Sequence, residues 1–178
     1  MNTDALLERA LAHGFTHAAE MDPTAISLKG EVRDMCNANK CGLLGRCWTC
    51  PPACGDLDSC AARMQGFRRG VIVQVVGQLE DAFDIEGMQA ASEKHKRLML
   101  SFADELRCEY PRLLPLGSGG CIICEECTCP DEPCRFPERA FSSMEAFGML
   151  VTDVCEKNGL PYYYGPNTIA YTGCFLID

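Results

Sequence analysis

The chain has 178 residues, 47% of them hydrophobic, and a formal net charge of −9, a composition that predicts a folded domain and excludes a disordered chain. So acidic a chain lacks the clustered Lys and Arg with which proteins contact phosphates, and no nucleic-acid partner is expected. Because no segment is apolar enough to span a membrane or to serve as a signal peptide, we expect a cytoplasmic protein without a membrane partner.

The first two thirds of the chain carry clear periodic patterns. Apolar residues at helical spacing predict a helix over 3–13, and a short strand follows over 15–22. The nearly unbroken β-branched run at 70–79 predicts a central strand that is buried on both faces of a sheet. Helical spacing over 85–110 predicts the longest helix, which Pro111 ends.

The last third is predicted to contain a short strand over 112–120, a helix over 143–159 and a hairpin over 161–178. This order of elements predicts the α+β class. We expect one domain over 1–178, a sandwich with a mixed sheet and helices packed on one of its faces. No repeat or low-complexity linker suggests a second domain.

Eleven of the fourteen cysteines fall in two loops, at 36–60 and 121–134. Disulfides are rare in reducing compartments, so the expected cytoplasmic location makes metal ligation the leading explanation. A disulfide framework would fit a secreted domain instead. Both loops follow strand-like segments and could lie at the same edge of the sheet, at a distance that the sequence does not fix.

The second loop has the spacing Cys-x2-Cys-x2-Cys-x6-Cys. Zinc sites normally use two separated CxxC pairs, whereas three thiolates in continuous CxxCxxC spacing suit three corners of an iron–sulfur cubane. The bacterial ferredoxin run would place a cysteine where Asp131 stands, so Cys134 is the preferred fourth ligand and Cys129 its rival. The predicted ligands of a [4Fe–4S] cluster are Cys121, Cys124, Cys127 and Cys134, with zinc as the alternative metal.

The first loop has more thiols than one metal centre needs. Its six cysteines are Cys36, Cys41, Cys47, Cys50, Cys54 and Cys60. The predicted metal ligands are Cys36, Cys41, Cys50 and Cys54, and the fourth ligand is open among Cys47, Cys54 and Cys60. A structural zinc loop remains the alternative because the spacing matches no single template. Trp48 could shield the centre from water.

Two segments, "MCNANKCGLLGRCWTCPP" and "CIICEECTCPDEPCRFPERAFSSMEAFGMLV", resemble the DUF2284 family, cysteine-rich predicted metal-binding proteins of anaerobic bacteria and archaea. The resemblance spans nearly the whole chain and implies metal binding, but no particular reaction. It places Cys36, Cys41 and Cys50 on the first family motif and Cys121, Cys124, Cys127 and Cys134 on the second. The surplus cysteines, Cys47, Cys54, Cys60 and Cys129, would allow a second cluster.

Three functions are compatible with these patterns. One is an iron–sulfur protein that transfers electrons to a redox partner protein in anaerobic metabolism, with an acidic surface suited to a basic partner. Another is a zinc-stapled interaction module. The last is an enzyme in which a cluster iron without a protein ligand binds substrate, although no catalytic motif supports it. His95, on the apolar face of the long helix, is predicted to be a core residue. The oligomeric state stays open.

Overall fold

The computed structural model describes residues 3–178, which form five helices and four strands. The helices are α1 (Thr3–His13), α2 (Gly30–Asn37), α3 (Leu57–Met64), α4 (Ile85–Arg107) and α5 (Val151–Lys157), with 3-10 turns at Pro23–Ala25 and Glu145–Phe147. The strands are β1 (His17–Met21), β2 (Arg69–Gln78), β3 (Leu113–Leu116) and β4 (Thr168–Ile177). The α+β class is confirmed.

The four strands form one sheet in the order β1-β2-β4-β3. Every strand pair is antiparallel, so the mixed sheet expected from the sequence is corrected in this detail. The reason is that β4, the last strand, inserts between β2 and β3, which run parallel to each other without touching. Parallel pairing in the described part of the chain is limited to an isolated bridge between Gly117 and Ser143.

Helices cover both faces of the sheet, and the prediction of helices on one face is wrong. Val71, Val73 and Val75 of β2 contribute to a core that also contains residues of α1 and α4. Ile72, on the opposite face, belongs to a second core with residues of α3, α5 and the 3-10 turn at Glu145–Phe147. Because side chains alternate along a strand, a run of β-branched residues can be buried on both sides, as predicted for β2.

Two predictions for the C-terminal part are also wrong. The hairpin over 161–178 is a loop followed by the single strand β4, because β2 pairs with β4 over all ten of its residues. The helix over 143–159 is split into a 3-10 turn and α5, since Gly148 has a φ of 80° that interrupts the helix.

Two short helices at the two ends of the first cysteine loop, α2 and α3, were not predicted. Each has only eight residues, too few for a clear periodic signal. A side-chain cap marks the start of α3, where Asp56 Oδ1 accepts from Ser59 N at 2.8 Å. Among residues 3–178, no helix has the length and apolarity needed to cross a bilayer.

Gly148 tests how strongly this break in the helix constrains the fold. A Cβ at this position would lie 2.7 Å from Leu57 Cδ2 and 3.0 Å from Lys29 O, in a backbone conformation that favours glycine. We expect Gly148→Ala to lower the free energy of unfolding, measured by urea denaturation, by about 1–3 kcal/mol. Gly159→Ala is the matched control, because Gly159 has a φ of 71° and no atom near its Cβ position. Equal losses in the two variants would show that the close contacts are unimportant.

The burial of His95 leads to a prediction about how the stability of the protein depends on pH. Its side chain is fully buried on α4, and its Nδ1 lies 3.0 Å from Ser118 Oγ. Burial, with a smaller contribution from Lys96, lowers the pKa of His95 to about 3, whereas the unfolded chain takes up this proton near 6.5. The unfolded state therefore binds more protons between these values, and stability falls as the pH decreases from 6.5.

The loss attributable to His95 should reach about 1.4 kcal/mol per pH unit at most. We expect urea denaturation between about pH 7 and pH 5 to show a steeper decrease for the wild type than for His95→Gln, which carries no titrating ring. Parallel curves for the two proteins would contradict the assignment of a buried neutral imidazole.

Candidate metal centre

The two cysteine loops meet at one cleft. Five thiols line it, four from the second loop and one from the first: Cys47, Cys121, Cys124, Cys127 and Cys134. No His, Asp or Glu of the described residues lines this cleft. All four thiols predicted for the second centre thus line one cleft, where the remaining side chains with oxygen are the hydroxyls of Thr49 and Thr128.

Direct contacts hold the two loops against each other. Trp48 Nε1 donates to Glu132 O at 3.0 Å and to Thr128 Oγ1 at 3.3 Å. The Leu43 side chain of the first loop also packs directly on Gly120, where it occupies the space that a Cβ would need. The distance between the loops, which the sequence left open, is therefore short. Trp48 itself lines the cleft, where an aromatic ring can limit access of water to the thiols.

The second loop is held in its curled shape by its own hydrogen bonds. Thr128 Oγ1 donates to Pro133 O at 2.9 Å, and Glu132 N donates to Thr128 O at 3.0 Å. Arg135 Nη1 donates to Glu126 O at 2.9 Å, so this guanidinium supports the loop through its backbone. Cys129 is not among the residues that line the cleft.

Cys47 is the thiol of the cleft with the strongest tendency to ionise. A hydrogen bond from the Cys50 thiol, and a weaker contribution from Thr49, lower the pKa of Cys47 to about 4 despite the burial of its side chain. The same hydrogen bond raises the pKa of Cys50. Because thiolates are the form that binds metals, Cys47 is well suited to ligation.

The thiols predicted for the first centre fall into two groups. Cys41 is close enough to Cys36 and Cys50 to raise the pKa of both. Cys54, whose backbone N donates to Cys50 O at 3.0 Å, lies beside Cys60, and the interaction between these two buried thiols lowers the pKa of Cys60 and raises that of Cys54.

Arg33 on α2 adds to the polarity around the Cys54–Cys60 pair. Its Nη1 lies 3.8 Å from Cys60 Sγ and donates to Ala146 O at 2.6 Å. The positive charge favours the Cys60 thiolate. Cys41 thus lies within electrostatic range of Cys36 and Cys50, and the assignment of these three thiols and Cys54 to one centre stays a prediction.

The thiols of the two loops lie near one another but not at the distances of metal ligands. Within residues 3–178, no three His, Cys, Asp or Glu side chains stand close enough together to hold a metal ion as they are placed. The free volume of the cleft is about 20 Å³, which is room for little more than one water molecule. Binding of a metal centre therefore requires the thiol side chains to rearrange around it.

Sequence reasoning did not place Cys47 with the second loop. Its spacing from Cys50 is that of a CxxC pair, which connects the two groups of thiols along the chain. That spacing indicates that Cys47 is a metal ligand. It does not show that Cys47 faces the second loop, because this depends on how the fold brings residues 47 and 121 together.

Comparison with known proteins agrees with this geometry. A family model described as "Predicted metal-binding protein (DUF2284)" matches residues 19–177. This range contains both cysteine loops and all four strands, apart from the first two residues of β1. No curated protein and no solved structure matches the chain. The match confirms the resemblance seen in the cysteine motifs and supports a metal-binding role. The chain belongs to the DUF2284 family of predicted metal-binding proteins.

Proposed function

We propose that the chain binds an iron–sulfur cluster of the [4Fe–4S] type at the cleft between the two loops. The observation that carries this proposal is the set of five thiols on one cleft, whose described lining includes no His, Asp or Glu. Cys121, Cys124 and Cys127 have the continuous CxxCxxC spacing of three cluster ligands, and Cys134 supplies the fourth. Cys47 lines the same cleft from the first loop and could replace one of these four ligands.

The bound cluster would supply one-electron chemistry, and we propose that the protein passes electrons to a partner protein in anaerobic metabolism in the cytoplasm. The thiols of the second loop are half-buried, so the centre lies near the surface. Exposed acidic residues surround it, namely Glu125, Glu126, Asp131 and Glu132. Such a surface favours a partner with a basic face.

A second metal site is proposed at the first loop, with Cys36, Cys41, Cys50 and Cys54 as its ligands. Support for this site comes from the electrostatic coupling of Cys41 to its two neighbours. Cys60 is the rival for the fourth position because it contacts Cys54.

Zinc remains the alternative for the cleft, and one observation favours it. The cleft has room for little more than one water molecule as the thiols stand, so a single ion demands less movement of the loops than a cluster of four irons and four sulfides. Four thiolates satisfy tetrahedral zinc, which would contribute folding energy without redox chemistry. Metal analysis separates the two possibilities.

The first test is purification without oxygen, followed by assays of iron, acid-labile sulfide and zinc and by a visible spectrum. We expect roughly four irons and four sulfides per bound cluster, with a charge-transfer absorption that bleaches on reduction. A colourless protein with stoichiometric zinc and no sulfide, even after anaerobic reconstitution, would establish the zinc alternative.

The second test compares two cysteines of the same loop. Cys124→Ala removes a thiol of the cleft and should abolish the cluster proposed there, measured as iron and sulfide per chain. Cys129→Ala is the control, because the Cys129 thiol points at Gly45 O at 3.7 Å and lies outside the cleft lining. If both variants retain all their iron, the ligand assignment is wrong. Loss of iron in Cys129→Ala alone would exchange the roles of Cys124 and Cys129.

A further inference from the structure

A second cavity, with a volume of about 250 Å³, opens beside β4. It exists because β3 pairs with β4 only over 174–177, which leaves the preceding part of β4 without a strand partner on that side among the described residues. The chain that leaves β3 turns away, and Gly117 bridges to Ser143 instead. The cavity is therefore a gap in the sheet, with residues 169–172 of β4 along one wall.

Glu145 lines this cavity, and one of its two carboxyl oxygens makes no hydrogen bond to the described residues. Its Oε2 atom is buried and has no hydrogen-bond partner among the described residues. Burial raises the pKa of this carboxyl. No Lys or Arg is among the residues that line the cavity. The Ser143 side chain and the backbone of Glu145 bond to the carboxyl group but leave Oε2 without a donor, and a bound molecule that donates to this buried oxygen would stabilise it.

Two tyrosines stand next to this carboxyl group. Tyr162 and Tyr171 both line the cavity. Burial is the main cause of the raised pKa of Tyr162, and the nearby Glu145 and Tyr171 raise this pKa further. Aromatic faces attract cations, and a carboxylate together with aromatic rings is the arrangement that recognises organic ammonium groups.

The lining of the cavity also includes a hydroxyl group that a buried side chain contacts. Ser118 lines the cavity, and its Oγ lies 3.0 Å from His95 Nδ1. The His95 ring is fully buried and fixed by the packing around it, so its contact holds the Ser118 hydroxyl in place. Ser92 contributes a second hydroxyl to the lining. These groups can contact the polar remainder of a ligand whose cationic end lies at Glu145.

We propose that this cavity binds a small organic molecule that carries an ammonium group. The ammonium lies between the Glu145 carboxylate and the rings of Tyr162 and Tyr171, and the remainder of the molecule extends towards Ser118. The volume, just below the ~300–1,000 Å³ of pockets for drug-sized ligands, restricts the ligand to a small molecule. The net charge of −9 favours the approach of cations over anions.

The cavity adjoins both cysteine loops. The charge of Glu145 reaches Cys36, where it contributes to a raised pKa. On the other side, Ser118 and Gly119 lead directly into Cys121. A ligand in the cavity would thus be next to any metal centre that these thiols hold. The proposal itself depends only on the cavity and stands whether or not the thiols bind a cluster.

The test is isothermal titration calorimetry with four probes of matched length, namely propylammonium, N,N,N-trimethylpropylammonium, propionate and propan-1-ol. We expect at least one of the two ammonium ions to bind the full-length wild-type protein, and propionate and propan-1-ol not to bind. Glu145→Gln, which keeps the shape and removes the charge, should weaken ammonium binding by about tenfold or more. Glu156→Gln, at an exposed position on α5, is the control and should bind as the wild type does.

Three results would overturn the proposal: no binding of either ammonium ion, equal binding to Glu145→Gln, or preferential binding of propionate. Far-UV circular dichroism confirms that Glu145→Gln is folded. If it is not, Tyr162→Leu replaces it, since the Tyr162 ring is 45% exposed and its loss should weaken binding of the trimethylated probe without unfolding the chain. Metal content is measured on the same samples. A loss of ammonium binding at unchanged metal content would separate this site from the proposed cluster.

Discussion

The pairing of β2 with β4 determines the position of every feature discussed above. Ten residues of each strand are in register, from Arg69 opposite Ile177 to Gln78 opposite Thr168. This long pairing lets β4 insert between β2 and β3, and β3, with four residues, covers only the last part of β4. The segment after β3 must then leave the sheet, which brings Gly120 against Leu43 of the first cysteine loop. The thiol cleft and the cavity at Glu145 both result from the short length of β3.

Buried ionisable groups in this protein are arranged in two ways. In two pairs of thiols, Cys47 with Cys50 and Cys54 with Cys60, the pKa of one sulfur is lowered and that of the other is raised. The carboxyl group of Glu145, by contrast, has an oxygen with no donor in the described part of the chain. Paired thiols are ready to exchange protons for a metal, whereas the unpaired carboxyl oxygen indicates a partner from outside the chain.

Patterns that depend on neighbouring residues were sufficient to predict much of this structure. The β-branched run of β2 and the helical spacing of α1 and α4 are local signals, and so is the CxxCxxC spacing at 121–127. The short helices α2 and α3 lack such a signal because they depend on packing. The insertion of β4 and the position of Cys47 beside the second loop depend on contacts between distant parts of the chain. Glu145 likewise gains its significance only when the gap beside β4 is known.

The two hydrophobic cores on either side of the sheet contain none of the cysteines at 121–134. Small metal domains such as zinc fingers must bind their ion in order to fold, because they have no other core. Here the sheet and its helices bury their apolar residues without help from the second loop, and Trp48 ties the two loops together through backbone and hydroxyl oxygens. The two cores can therefore form without a metal at the second loop, and removal of a bound metal would act on the loops rather than on the sheet.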